Sequence, residues 1–181
     1  MIETTHTDED VVRADLDFDL WMRLTQARDA IYRLRQKELS RYNLTAEQSL
    51  VLVWVHELGD KATPARLSRR MFRKSQSVSE LLDRMRRDGL VTKVKDLERR
   101  NMVRVVFTER GRAAYSQATK RESIRKAMSQ LSDEQRQQLR TCLRILYDSA
   151  LKELGVKAVP PVELSVDLPA VSGAFAWMTT V

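Results

Sequence analysis

Apolar residues recur at helical spacing along most of this chain, and the period changes in one central stretch. Leu20, Leu24, Ala27, Ile31 and Leu34 follow Phe18 along one face, with Trp21 and Tyr32 beside them, and predict a first long helix over 17–41. Asn43-Leu44-Thr45 interrupts it. Thr45 has the chemistry of an N-cap and Gln48 completes a capping box. The second helix runs to about Glu57, stops at Gly59 and carries the apolar face Leu50, Val51, Trp54, Val55 and Leu58. Thr63-Pro64 restarts the chain as cap and first-turn proline of a short helix with Leu67 and Met71 on one side. A fourth helix starts near Ser75, with Val78, Leu81, Leu82 and Met85 at i, i+3, i+4 and i+7, and ends at Gly89.

Period-two, valine-rich segments follow at 90–94 and 102–107, joined by the charged segment 95–101. Thr108 then caps a helix expected to run to about Ser129, and Ser132 with Gln135 forms a second capping box. The last helix carries Leu139, Cys142, Leu143, Leu146, Tyr147, Ala150, Leu151 and Leu154 before Gly155. Two short helices with a tight connection, followed by a charged hairpin, predict a helix-turn-helix with a wing. The expected fold class is mainly α with a small β-hairpin wing, a winged helix-turn-helix between long N- and C-terminal dimerisation helices. The organisation expected is an acidic mobile arm over 1–16, a dimerisation helix over 17–44 and the winged DNA-binding domain over 45–111. C-terminal dimerisation helices over 112–155 and an apolar tail over 156–181 complete it. The tail holds Pro160, Pro161 and Pro169, which prevent one continuous helix, and also Phe175, Trp177 and Met178.

Charge sharpens this picture. The chain of 181 residues has a net charge of +7, unevenly placed. Residues 1–20 hold seven carboxylates against Arg13, whereas residues 61–112 hold sixteen lysines and arginines against six acidic residues. A basic block of this kind is an electrostatic footprint for nucleic acid, and a solvated helical face is the plainer alternative. Cys142 is the lone cysteine, which excludes an intrachain disulfide and suits a reducing compartment. The start has no signal-peptide pattern and no apolar run is long enough for a membrane span, so a cytoplasmic protein without membrane contact is expected. No glycine-rich phosphate loop, nucleophile elbow or zinc-ligand spacing occurs, so neither an enzyme nor a cofactor is expected.

The order of elements resembles the MarR family of bacterial transcriptional regulators over about Phe18 to Leu154. The stretches that carry the resemblance are Leu44-Thr45-Ala46-Glu47-Gln48, Leu67 to Met71, Ser77 to Met85, Asp88-Gly89-Leu90-Val91 and Val105 to Gly111. The resemblance implies a homodimer that reads a pseudo-palindromic double-stranded DNA operator. It implies a repressor released by a small, often aromatic or phenolic, anion. Two departures stand out. Glu80 occupies a position that is usually basic in the family, and Asp96 with Arg99-Arg100 supplies the wing signature in a shifted register.

The fourth helix would lie in the major groove, with Lys74, Ser75, Gln76, Ser77 and Ser79 facing DNA and Gln76 suited to bond adenine bidentately. N-capping is the competing role for each serine. Arg84 is placed for a phosphate or for pairing with Glu80 one turn back. Arg99 and Arg100 suit a narrow minor groove, one of them pairing with Asp96. Trp21, Arg28, Tyr32, Trp54 and His56 lie on the helices expected to border an effector cleft, where core packing is the alternative for the aromatics. Cys142 sits in an apolar stripe, where a thiol is usually inert. The alternative function is a winged-helix protein-interaction module docking an acidic partner.

Overall fold

The computed structural model describes residues 8–95 and 102–156. The chain begins with α1 (Asp8–Ser40) and α2 (Ala46–Leu58), followed by a single 3-10 turn at Gly59–Lys61. The short helices α3 (Pro64–Arg70) and α4 (Ser75–Arg87) lead into strands β1 (Val91–Lys95) and β2 (Val103–Phe107). Three helices, α5 (Glu109–Ala118), α6 (Glu122–Met128) and α7 (Asp133–Glu153), complete the described chain. The strands form one antiparallel hairpin in the register Val91↔Phe107 to Lys95↔Val103. The Val105 N–H also donates to the Ala62 carbonyl at 2.8 Å, so the hairpin is tied to the turn that follows α2. Among the described residues no helix is long and apolar enough to cross a membrane.

Local chemistry sets the boundaries. The Thr45 hydroxyl accepts from the Gln48 N–H at 3.1 Å, and the Gln48 side chain accepts from the Thr45 N–H at 2.9 Å. Ser132 and Gln135 repeat the same reciprocal pair at the start of α7. Thr63 caps α3 with Pro64 in its first turn, where the missing N–H costs nothing. Gly59 and Gly89 adopt the positive φ that stops α2 and α4. The core lies between α2, α3, α4, the hairpin and the C-terminal part of α1. Its fully buried members include Leu39, Val51, Leu52, Leu67, Val78, Leu82, Met85, Val91 and Val105.

Two boundaries differ from the sequence expectation. The first helix starts at Asp8, so 8–16 is helical where an arm was expected. Helical pairs such as Asp19–Arg23 at 2.6 Å form along it. The helix expected from Thr108 to about Ser129 is broken in two. Arg121 takes φ 51, a left-handed conformation that ends one helix and redirects the next. The break is held from outside. Arg35 on α1 donates to the Ala118 carbonyl, while Glu38 accepts from the Glu122 and Ser123 N–H groups at 2.9 and 3.2 Å.

Packing also divides the apolar stripes. The α4 stripe Val78, Leu81, Leu82 and Met85 is wholly buried. Leu151 is the only α7 residue that is buried, while Leu139, Leu143, Ile145, Leu146 and Leu154 are exposed. Leu16, Phe18, Leu20, Trp21 and Leu24 on α1 are exposed as well. Leu50, expected on the core face of α2, points to solvent, and Leu52 is buried instead. Cys142 is exposed on α7, so burial within one chain does not shield its thiol.

Candidate nucleic-acid interface

The buried stripe of α4 determines what its other side shows. With Val78, Leu81, Leu82 and Met85 anchored inward, Ser75, Gln76, Ser77, Glu80, Arg84, Arg86 and Arg87 are exposed and Ser79 is half-buried. Lys74 occupies the N-cap position with extended backbone and makes no side-chain cap. The first-turn N–H groups of α4 therefore face outward uncapped, at the positive end of the helix dipole. The Ser75 hydroxyl lies 3.4 Å from that of Ser68 on α3, a bond across the helix-turn-helix rather than a cap. In the intervening turn Phe72 adopts φ 54 and sets its ring edge-on to Tyr147 of α7, with centroids 6.0 Å apart.

Glu80 modifies this surface directly. Its carboxylate accepts from the Gln76 side-chain amide at 3.2 Å. The amide keeps its second N–H and its oxygen, the donor and the acceptor that a bidentate contact with adenine needs. Arg84 does not take Glu80 as its partner. It borders a shallow cavity of about 360 Å³ with Tyr32, Gln36, Thr45, Gln48 and Asp88.

Part of the basic block is committed to structure. Arg73 pairs with Glu47 on α2 at 2.5 Å, Lys93 with Asp83 at 2.8 Å, and Arg104 with Asp60. The hydrogen bond from Lys93, then its charge, pulls the Asp83 carboxyl below its ordinary range, so the pair ties β1 to α4. Arg70 lies over the Trp54 ring at 5.4 Å. Lys74, Arg66 and Arg69 are exposed without a partner among the described residues. These cations lie on α3 and at the start of α4, and the exposed Arg84, Arg86 and Arg87 continue the basic surface along α4. Asp96, Arg99 and Arg100 lie outside the described residues, as does the tail beyond Val156.

The five residues expected around an effector cleft form separate contacts. Trp21 meets Phe18 at 5.5 Å, and Arg28 lies over Tyr32 at 5.4 Å. Trp54 takes Arg70, while His56 stacks on Tyr115 at 4.5 Å, which in turn stacks on Phe107 at 5.6 Å. Of the five, only Tyr32 lines the cavity beside α4. A larger open cavity of about 510 Å³ is bounded by Tyr42, Asp88, Leu90, Arg110, Ala114 and Gln117.

Sequence reasoning missed a buried polar group in α1. Arg35 and Glu38 are 9% and 6% exposed and paired at 2.6 Å. Burial alone would push the Glu38 carboxyl up. Hydrogen bonds from Ser123, Arg35 and the Glu122 and Ser123 N–H groups outweigh it and hold the group at about 2. Charged residues one turn apart on a long helix normally read as solvated, so the sequence alone carried no signal for this pair.

Residues 42–100 match the sequence model of the MarR family. YsmB, an uncharacterised HTH-type transcriptional regulator of Bacillus subtilis strain 168, is 34% identical over 109 residues, spanning 59% of this chain and 74% of that protein. The chain belongs to the MarR family. As a MarR-family protein it is a winged helix-turn-helix transcriptional regulator. The organohalide-sensing transcriptional regulator RdhR, solved with 2,4-dichlorophenol bound, is 28% identical to it. That structure covers 90% of this chain and 98% of its own, with a TM-score of 0.73. A mutant of MarR from E. coli, solved with operator DNA, shares the fold at 21% identity, with 71% of this chain and 93% of that chain covered and a TM-score of 0.65.

Proposed function

We propose that this MarR-family chain acts as a homodimer that binds a pseudo-palindromic DNA operator in the cytoplasm, represses from it, and is released by a small aromatic anion. The observation that carries the DNA reading is α4. Its apolar stripe is buried and its uncapped N-terminal turn points outward beside the partnerless cations Lys74, Arg66 and Arg69. Lys74, Ser75, Gln76, Ser77 and Ser79 form the proposed reading turn, with Gln76 the base reader. Arg84 is the phosphate contact furthest along the helix. The wing supplies Arg99 and Arg100 to the flanking minor groove.

Dimerisation is supported by the exposed leucines of α7 and the exposed apolar start of α1, more apolar surface than one soluble chain leaves open. A two-fold dimer sets two reading helices about one DNA turn apart. The 2,4-dichlorophenol bound by RdhR supports a phenolic effector here. Tyr32, Trp21, Arg28, Trp54 and His56 are its proposed surroundings, and Tyr32 lines the cavity that Arg84 borders. Nothing in the proposed action is an enzymatic step.

A gel shift with DNA from upstream of the protein's own gene, repeated across a salt series, tests this reading. Selective binding that weakens steeply with salt is expected. Arg99→Ala with Arg100→Ala should weaken it about 10-fold or more and flatten the salt slope. Weak, unselective binding would instead favour a protein-docking winged helix. Adding 2,4-dichlorophenol to the complex tests the effector class, with release and quenched tryptophan fluorescence expected.

A further inference from the structure

Two helix ends meet at the α5–α6 junction, and one distant ion pair reaches both. Arg121, the residue before α6, is left-handed and gives no side-chain cap, and α5 ends at the buried Ala118. Both ends are completed by one ion pair on α1. The Arg35 guanidinium donates to the Ala118 carbonyl, at the negative end of α5. The Glu38 carboxylate accepts from the Glu122 and Ser123 N–H groups and the Ser123 hydroxyl, at the positive end of α6. Arg35 and Glu38 are joined to each other at 2.6 Å. Each charge has the sign that its helix end favours.

Burying such a pair gains little stability over an apolar pair of similar volume, because both ions must be desolvated. It does enforce one geometry, since any shift of the junction leaves a buried charge without its hydrogen bonds. The junction is also where one geometry matters. Upstream, α5 packs on α2 and β2, the lobe that carries the reading helix. Downstream, α6 packs on α1 and leads to α7 with its exposed leucines. A swing of about 10° there, on an arm of roughly 20 Å, would displace a reading helix by about 3.5 Å, one base-pair step.

We propose that Arg35 and Glu38 are positioning residues that lock the angle between the reading lobe and the dimer-forming helices, and so set the spacing of the two reading helices on DNA. This role rests on the dimeric DNA-binding function proposed above. It extends to Ser123, whose hydroxyl completes the lock.

Spin labels on Arg87→Cys at the end of α4, in a Cys142→Ser background, report the distance between the two lobes of the free dimer. The parent protein should give one narrow distance distribution. Glu38→Gln should at least double its width, and Arg35→Lys, which keeps the charge but not the two-way fork, should broaden it less. Without labels, Glu38→Gln should bind a duplex selected from randomised DNA about 10-fold more weakly, and should tolerate half-sites respaced by one base pair that the parent rejects. Dimer mass should not change. Ser123→Ala removes a single hydroxyl and guards against a variant that fails to fold; a modest broadening is expected. Folded dimers with unchanged distances and the same spacing preference, even with lowered stability, would overturn the role. A parent protein that is monomeric overturns the underlying reading and this one together. A parent dimer that ignores DNA overturns the underlying reading, while the label distances still judge the lock.

Discussion

Gly111 offers the sharpest test of how the reading lobe is assembled. It lies in the first turn of α5, where its N–H donates to the Thr108 hydroxyl at 2.9 Å. A Cβ at this position would stand 1.8 Å from the Leu90 carbonyl oxygen and 2.9 Å from its carbon. Carbon and oxygen in contact need about 3.3 Å, so roughly 1.5 Å must open between α5 and the start of β1. Neither side yields easily. The obstacle is backbone, and the same Leu90 carbonyl accepts from the Thr108 N–H at 3.3 Å. Helix propensity alone would make Gly111→Ala stabilising by about 1 kcal/mol. Overpacking costs about 1–3 kcal/mol, with the upper end expected where the obstacle is backbone, so the net loss after the propensity gain is roughly 2 kcal/mol. That is a large part of a typical domain's 5–15 kcal/mol or so. Urea unfolding of parent and variant measures it directly, and the gel shift should weaken as the hairpin is pushed from α5. A Gly111→Ala protein as stable as its parent, or more so, would refute the reasoning, because propensity would then have won.

Other predictions follow from single contacts. Glu38 is held at about 2 in the folded chain, below an unfolded value near 4.5. Its contribution is therefore fully present above about pH 4.5 and lost as pH falls from there towards about 2. The shift corresponds to roughly 3 kcal/mol, so urea midpoints across that window should fall more steeply in the parent than in Glu38→Gln. Leu143→Glu with Leu146→Glu charges the exposed face of α7 and should give a folded monomer by sedimentation, with operator binding lost. Glu80→Gln removes a negative charge beside the reading turn and loosens its hold on Gln76. Operator affinity should rise several-fold in the gel shift, and a decrease would assign Glu80 a positive role in recognition. Gln76→Ala should cost about 1–3 kcal/mol at one base pair only, visible as relaxed preference in a selection from randomised DNA.

The sequence by itself determined every element whose cause is local. Thr45, Thr63, Thr108 and Ser132 start helices because a side-chain oxygen a few bonds away satisfies a first-turn N–H, and that needs no distant partner. The α4 stripe and the valine alternation of the hairpin were equally legible, since period alone fixes which side is buried. The proposed reading turn rests on them. What only the tertiary structure decided depended on partners far along the chain. The break at Arg121 is held by Arg35 and Glu38, more than eighty residues away in sequence, and no local pattern announces it. Likewise Arg73, Lys93 and Arg104 look in sequence like Lys74, yet Glu47, Asp83 and Asp60 engage them while Lys74 stays uncommitted. Exposure divided the two long apolar stripes in the same way, burying that of α4 and leaving that of α7 open. Periodicity says that a face is apolar, but only packing says whether this chain or another must cover it.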